Sequence, residues 1–432
     1  MNLLGAFVNA FKVPDLRRKI LFTLLIIAIY RFGAHVPTPG IDVQAAQDLS
    51  RQGTTGALSF INLFSGGALA QMAIFALGIM PYITSSIIMQ LLTVVIPRLE
   101  AWSKEGESGY KKITQWTRYL TVILAILQST GLAFLLHRGQ LGQGGASTQL
   151  DLLPNFTAPR VALVVLSLTA GTALIMWLGE LITSRGIGNG MSILIFASII
   201  STLPSEGKAI LDQKGLGFFI FTCALALGVI VAIVIMEQGQ RRIPVQYAKR
   251  VVGRKMYGGS STYIPLKVNQ AGIIPIIFAS SVLYIPTLLQ NVIQNRGVQD
   301  FISNNLVNAA SATYMVIYGL LVVFFAYFYT AITFNPTDVA DNMKKYGGFI
   351  PGIRPGRATA EYLDRILTRI TLPGALFIAA IALIPSIALA VANVQALPFG
   401  GTSILITVGV TLETMKQIES QLMMRHYEGF LK

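Results

Sequence analysis

Apolar residues along this chain are grouped in long blocks, separated by shorter stretches rich in glycine, proline and charged residues. Most blocks approach the roughly 20 residues that a helix needs to cross a hydrocarbon core. Backbone polar groups inside a bilayer must find internal partners, which favours helices for these blocks. We therefore predict ten membrane-spanning helices, at about residues 20–37, 73–96, 117–137, 159–182, 190–204, 217–238, 270–294, 312–334, 371–390 and 402–420.

One apolar stretch, residues 59–70, lies between the first and second spans and is too short to cross a membrane. The pair Gly66 and Gly67 would break a helix there. A broken segment at membrane depth is tolerated only where protein or a water-filled cavity surrounds it. The pattern therefore predicts a half-segment packed inside the helical bundle.

A short sequence motif occurs once in each half of the chain. Residues 78–83 and 272–277 both read G-I-x-P-x-I, and each opens the second span of its half. Because five spans separate the two copies, the two helices run in opposite directions. This arrangement indicates an inverted repeat of two five-helix halves, residues 1–204 and 205–432, with a pathway between them.

Composition agrees with a membrane protein, since 53% of residues are hydrophobic, 12% are charged and mean hydropathy is +0.63. A soluble domain carries about 25% charged residues. The net charge of +14 is explained if the lysines and arginines fix the orientation of the chain in the membrane. If both termini are cytoplasmic, all but seven of the 33 lysines and arginines lie in inner segments, as the positive-inside rule requires.

Two of the predicted inner loops, residues 239–269 and 335–370, are longer than simple connections between helices require. Both are basic and contain several glycines, prolines and tyrosines. Long loops in compact proteins are usually functional. We favour a surface that docks a partner, with topology control alone as the alternative.

Motifs for covalent chemistry are absent from the sequence. It contains no phosphate-binding loop, no H-E-x-x-H and no G-x-S-x-G, and Cys223 is its only cysteine. The middles of the predicted spans lack charge, whereas ion-coupled transporters usually keep a charged residue there. The residues favour a passage without an enzymatic activity, a cofactor or a metal. A secondary transporter of a small solute and an intramembrane protease are the alternatives.

Several longer motifs resemble the SecY family of protein-conducting channels, which includes Sec61α. Residues 241–259 and 261–281 are similar to the fourth cytoplasmic loop and the seventh helix of that family. Residues 64–92 are similar to its plug and second helix, and residues 348–356 and 399–406 to its fifth inner loop and tenth helix. The motifs follow one another in the family's order over nearly the whole chain.

The resemblance implies an all-α polytopic fold whose two inverted halves surround an hourglass pore. A ring of apolar side chains would close its waist, and a plug half-helix, about residues 57–71, would fill the outer funnel. An aliphatic ring excludes ions because it dewets, and it makes no specific bond to a passing chain. Met191 departs from the family's branched aliphatic residue. The implied ring is Ile79, Ile83, Met191, Ile195, Ile277 and Ile406, and the implied plug is Phe60, Ile61, Asn62, Leu63, Phe64, Ser65, Gly66 and Gly67.

The resemblance also implies a lateral gate between the second and seventh helices, with polar residues that weaken the seam. Ordinary packing of small residues is the alternative explanation. The implied gate residues are Thr84, Ser85, Ser86, Gln90, Gln128, Ser280 and Ser281. The implied docking residues for SecA or the ribosome are Lys249, Arg250, Arg254, Lys255 and Arg354.

The family's biology supplies the remaining expectations. Partners would be SecE, SecG, the SecA ATPase, the ribosome, signal peptides, unfolded preproteins and membrane lipid, with no DNA. The expected location is the bacterial plasma membrane, and the expected activity is movement of unfolded polypeptide across it or sideways into it.

Overall fold

The computed structural model describes residues 11, 13–42, 62, 64–137, 157–247, 250–252, 255–257, 261–292, 296–308, 311–392 and 401–429. Its helices are α1 (Pro14–Gly33), α2 (Met80–Val95), α3 (Pro97–Lys104), α4 (Glu107–His137), α5 (Ala158–Arg185), α6 (Gly190–Gln238), α7 (Ile274–Val292), α8 (Arg296–Ile302), α9 (Ala312–Thr333), α10 (Pro336–Lys345), α11 (Arg357–Ala392) and α12 (Gly401–Gly429). A short π-helix, Ser303–Val307, follows α8. The strands are β1 (Gln240–Tyr247), β2 (Arg250–Val252), β3 (Lys255–Tyr257), β4 (Ser261–Lys267) and β5 (Gly348–Phe349).

Each of the ten predicted spans overlaps one of these helices, so the predicted helical membrane fold is confirmed. Within the described residues, six helical segments are long and apolar enough to cross a membrane. A seventh is added if α2 and α3, which meet at a bend of 101°, count as one broken span. The full count of ten spans and the inverted relation of the halves stay predictions.

The first half of the chain packs around α5, which contacts α1, α2, α4 and α6. Glycines allow these close approaches. A Cβ atom on Gly171 would come within 2.0 Å of the Ile74 carbonyl oxygen, and one on Gly190 within 1.9 Å of the Gly179 carbonyl oxygen. Since real Cβ atoms do not approach backbone this closely, residue types larger than glycine would push α5 away from its neighbours.

The second half is built from α7, α9, α11 and α12 and the second part of α6. Helix α9 contacts α7 and α11, and α12 contacts α6 and α11. Buried residues such as Tyr318, Val322, Ile378 and Leu405 form its core. Helix α6 carries the chain from one half to the other. Gly215, with φ of 80°, divides this helix into Gly190–Asp212 and Gly215–Gln238.

The second predicted span begins later than the sequence pattern indicated. Residues 73–79 form turns, and α2 starts only at Met80. Backbone contacts from outside the span hold this segment, because Ala73 pairs with Pro37 and the Ile74 N–H donates to the Val36 carbonyl at 2.9 Å. Gly78, at φ of 56°, adopts the left-handed conformation just before the helix. Tertiary bonds therefore override the apolar pattern here.

The two long inner loops contain regular structure that the sequence analysis did not predict. Strand β1 lies between β4 and β5 in an antiparallel sheet, and β5 comes from the other loop. Along β1, Ile243 and Val245 are buried while their neighbours are exposed, as expected for a half-buried strand. They pack with Leu266, Ile350, Leu363 and other residues in one apolar cluster. The two loops thus form a single small domain next to α11.

Candidate functional site

The centre of the molecule is an apolar cluster to which both halves contribute. All six residues of the predicted ring belong to it: Ile79, Met191, Ile195, Ile277 and Ile406 are buried, and Ile83 is half-buried at its edge. They come from α2 and the residue before it, and from α6, α7 and α12. Four helices that are distant in sequence therefore contribute aliphatic or thioether side chains to one cluster.

Met191 is held at this point by a specific local contact. Its sulfur would lie 2.4 Å from a Cβ atom on Gly179 of α5, so the absence of a side chain there makes room for it. The Asn189 side chain caps the start of α6 by accepting from the Met191 N–H at 3.1 Å. The unbranched methionine fills a space next to a glycine, as flexible methionines often do.

The predicted plug lies against the same cluster. Phe64 and Ala68 are fully buried within it. Within the described part, residues 65–72 form successive turns rather than a continuous helix. The Asn62 side chain closes these turns by accepting from the Ala70 N–H at 2.9 Å. Phe60, Ile61 and Leu63 lie outside the described residues.

Side chains of α1 and α6 bind the backbone of the plug segment, a set of contacts that the sequence analysis did not predict. The buried Tyr30 hydroxyl lies 2.6 Å from the Ser198 hydroxyl and 3.4 Å from the Ser65 carbonyl oxygen. Arg31 donates to the Gly66 carbonyl oxygen at 2.8 Å. The position of Arg31 near the end of an apolar span could have indicated a polar contact at this place. Nothing in the sequence indicated that Tyr30 and Ser198 would meet.

The predicted seam between α2 and α7 is present as a contact between these two helices. Its hydroxyl groups, however, do not all point into that contact. Ser85 donates to the Thr117 carbonyl of α4 at 2.7 Å, and Ser280 lies 3.1 Å from the Tyr318 hydroxyl of α9. These two serines therefore join each helix to its own half of the molecule.

The other predicted gate residues have different environments. Thr84 donates to the Met80 carbonyl of its own helix. The Ser281 hydroxyl is buried and has no hydrogen-bond partner among the described atoms. Ser86 and Gln128 are half-buried, and Gln90 is exposed. Among the predicted gate residues that the structure describes, the Ser281 hydroxyl is thus unsatisfied, whereas those of Thr84, Ser85 and Ser280 are bonded within their own half of the chain.

Three of the five predicted docking residues lie in described parts of the two inner loops: Arg250, Lys255 and Arg354. Arg250 and Lys255 are in the two-stranded sheet of β2 and β3, opposite Tyr257 and Val252. Lys249 and Arg254 lie outside the described residues. Arg354 is exposed on the turn before α11, where glycines at 352 and 356 have φ of 83° and 103°. Its carbonyl oxygen accepts from the Thr359 hydroxyl at 2.9 Å, which fixes the turn to the helix.

The chain also carries an ion pair that the sequence analysis missed. Arg118 of α4 donates through Nε and Nη2 to the two carboxylate oxygens of Glu180 of α5, at 2.7 and 2.8 Å. Two parallel bonds of this kind are strong and fix geometry. The pair ties α4 to the C-terminal part of α5. Among the described residues no group of three or more His, Cys, Asp or Glu side chains could hold a metal ion.

These features define a polytopic helical membrane protein in which helices from the first and second parts of the chain meet in one apolar cluster. Comparison with known sequences agrees with that class. A model of the SecY family matches residues 73–415. The protein translocase subunit SecY of Streptomyces coelicolor is 58% identical over 439 residues, and that of Mycobacterium bovis is 54% identical over 444 residues. Each of these alignments covers 100% of both chains. The chain belongs to the SecY family.

Solved structures show the same fold. A protein-conducting channel superposes with a TM-score of 0.64 at 17% identity, over 94% of this chain and 92% of that one. A SecY structure concerned with the plug domain gives 0.63 at 18% identity with the same coverage. Sec61 in a canine ribosome-channel complex gives 0.60 at 16% identity, again over 94% and 92%. At these identities the likeness concerns the fold alone.

Proposed function

We propose that this chain is the channel-forming subunit of a bacterial protein translocase. It moves unfolded polypeptides across the plasma membrane and releases apolar segments sideways into it. The observation that carries this proposal is that six apolar side chains from distant parts of the chain share one buried cluster with Phe64 and Ala68 of the plug segment. Membership of the SecY family favours this function over a transporter of small solutes.

The seal follows from the chemistry of the constriction. Ile79, Ile195 and Ile406 are 1%, 4% and 0% exposed, so the closed waist leaves no wetted surface around them. An apolar constriction resists ions because water leaves it when it is empty. A polypeptide can still pass, because apolar side chains do not bind it specifically. The plug segment adds Phe64 and Ala68 to the closed packing.

Sideways release uses the contact between α2 and α7. This contact is less extensive than those that the two helices make with α4 and α9. Since Ser85 and Ser280 hold each helix to its own half, the halves can separate without breaking those bonds. An apolar signal helix that enters the seam stabilises the parted state by binding it preferentially.

Energy for transport comes from partners, because the sequence contains no phosphate-binding loop. The basic loop domain with Arg250, Lys255 and Arg354 docks the SecA ATPase or the ribosome, and SecE and SecG complete the membrane complex. Arginine suits either partner, since its planar guanidinium group pairs with the carboxylates of a protein and with the phosphates of RNA. The fold shared with Sec61 in a ribosome-channel complex supports the ribosome as a partner.

The topology assigned to the chain places both termini in the cytoplasm. Reporter enzymes fused after Lys432 and inserted in the predicted outer loop 138–156 test this. A reporter active only in the cytoplasm is expected to work at the first position and to fail at the second. The reverse pattern would contradict the orientation.

The decisive experiment is reconstitution. The chain is purified with its SecE and SecG partners, placed in proteoliposomes and supplied with SecA, ATP and an unfolded precursor. We expect precursor to become protected from external protease, whereas a gradient alone drives no saturable uptake of small solutes. Solute uptake without precursor protection would favour the transporter alternative instead.

A further inference from the structure

Three polar side chains meet where the plug segment crosses between α1 and α6. Tyr30 is fully buried and stacks on Phe75, with ring centroids 5.8 Å apart. Its hydroxyl reaches Ser198 of α6 and the Ser65 carbonyl of the plug segment. Next to it, Arg31 binds the adjacent Gly66 carbonyl. The plug backbone is therefore held at two successive residues by side chains of the surrounding helices.

The hydrogen atoms available to this group can be counted. Tyr30 and Ser198 each bring one hydroxyl hydrogen. Ser198 Oγ lies 2.9 Å from the Leu194 carbonyl of its own helix, and Tyr30 Oη lies 3.4 Å from the Ser65 carbonyl. The two hydrogens can be placed in two ways that keep every hydroxyl group bonded. In one, Ser198 donates to Tyr30, which donates to Ser65. In the other, Tyr30 donates to Ser198, which donates to Leu194.

The two arrangements correspond to two positions of the plug segment. The first contains a bond to the plug, whereas the second has all of its bonds within α1 and α6. If the plug leaves, the hydroxyl groups adopt the second arrangement and no buried donor loses its partner. Leaving a buried donor unpaired would add a penalty to opening. The pair therefore makes two hydrogen bonds whether the plug is seated or released, and it keeps the release reversible. The bond from Arg31 to the Gly66 carbonyl oxygen exists only while the plug is seated, so this bond favours the closed position.

The geometry at Gly66 shows how closely the plug is seated. Gly66 has φ of 65°, and a Cβ atom there would lie 2.7 Å from Arg31 Nη1 and 3.0 Å from the Ser198 Cα atom. The next residue, Gly67, has φ of 87°, and a Cβ atom there would meet nothing within 4 Å. Only the first glycine is needed for contact with α1 and α6.

We propose that Tyr30, Arg31 and Ser198 form a polar latch that positions the plug segment and sets how often it leaves the constriction. This inference rests on the proposed channel function. The three residues act as positioning residues, since they bind the plug backbone and not the transported chain. Removal of the Arg31 bond shifts the resting equilibrium toward the open channel without removing any part of the apolar ring, whereas the Tyr30–Ser198 pair keeps the release reversible.

The first test uses Arg31→Met and Ser198→Ala in the reconstituted complex with SecE and SecG. Ser205→Ala is the matched control, because Ser205 is on the same helix as Ser198 and donates to the Thr202 carbonyl of that helix. Losing one net hydrogen bond changes an equilibrium about fivefold. We expect the conductance of the idle channel in planar bilayers to rise about fivefold in Arg31→Met and to stay unchanged in the control. In Ser198→Ala the Tyr30 hydroxyl has a partner only while the plug is seated, so idle conductance should fall.

A second readout separates a latch from simple damage to the fold. Export of a precursor with a weakened signal sequence should increase in Arg31→Met, because part of the work of opening is already done. A merely destabilised protein would export less of every precursor. The double variant Tyr30→Phe with Ser198→Ala should conduct like the unaltered channel, since it has no hydroxyl donor that could lose its partner.

The glycine pair gives an independent test. Gly66→Ala should raise idle conductance well above that of Gly67→Ala, although both substitutions place alanine at a left-handed φ. Equal conductance of Arg31→Met, Ser198→Ala and Gly66→Ala with their controls would overturn the latch while leaving the channel function standing. Failure of the unaltered complex to translocate any precursor would instead overturn the proposed function.

Discussion

A polar residue in the ring should make the resting channel leak, and Ile277 is the position where this can be worked out best. Its side chain is 6% exposed in the closed cluster and would face water in an open pore. Burial of such a side chain stabilises the closed state by about 1.5–3 kcal/mol. In Ile277→Asn this stabilisation is lost, and an unpaired buried amide costs about 1–3 kcal/mol more.

Together the two effects disfavour the closed state by about 3 kcal/mol, taking the lower part of each range. Each 1.4 kcal/mol is a factor of about ten, so the ratio of open to closed channels rises about 100-fold. A channel open about 0.1% of the time would then be open about 10% of the time. Adding Ile83→Asn, from the edge of the same cluster, should raise the leak further.

The assay is ion conductance of the purified complex in planar bilayers without precursor. Ile277→Leu is the control, because it keeps the volume and the apolar character of the residue. We expect a large increase for Ile277→Asn and a change of no more than a few-fold for Ile277→Leu. If the asparagine variant is as tight as the unaltered channel, Ile277 does not belong to the seal.

Three further predictions follow from the described contacts. Arg354→Glu should abolish SecA-driven translocation while the complex still assembles. The control is Arg357→Gln, three residues away, where the arginine pairs with Glu361 at 3.1 Å, and this variant should keep its translocation activity. Normal transport by Arg354→Glu would refute the docking role. Gly171→Ala should lower the thermal unfolding midpoint, because its Cβ atom would meet the Ile74 carbonyl oxygen at 2.0 Å. Gly228→Ala should preserve or raise the midpoint, because a Cβ atom at Gly228 has open space around it. Equal midpoints of the two variants would contradict the packing of α5 described above. Cysteines placed on the facing sides of α2 and α7 should form a disulfide across the seam less readily when a signal peptide is bound, and an unchanged yield would count against sideways opening.

The sequence allowed most of the helices to be predicted, since a membrane span leaves a long apolar run that no other structure explains. The resemblance of their motifs assigned Ile79, Ile277 and Ile406 to one ring; the structure places all three in one buried cluster, and their role as a pore ring stays a prediction. The start of α2 could not be predicted, because the bond from Ile74 to Val36 depends on residues outside the run. Periodicity reports local structure and carries no information about such tertiary bonds.

The loop domain and the polar contacts of the plug segment could not be predicted from the pattern of apolar and polar residues either. Strand β5 is only two residues long and is stabilised by pairing with β1, about 100 residues earlier in the chain. Tyr30 and Ser198 are separated by 168 positions. Ser85 and Ser280 were predicted as seam residues from their place on α2 and α7, but their partners on α4 and α9 could be seen only in the folded chain.

The central claim is that polypeptide passes through the ring, and a photo-crosslinking measurement tests it most directly. A photoreactive amino acid replaces Ile277 in one variant and Val322, which is buried in the core of the second half, in another. A precursor is then arrested in transit and the complex is irradiated. Strong crosslinks from position 277 and none from position 322 are predicted. Crosslinks from neither position, or equally from both, would contradict a passage through this constriction.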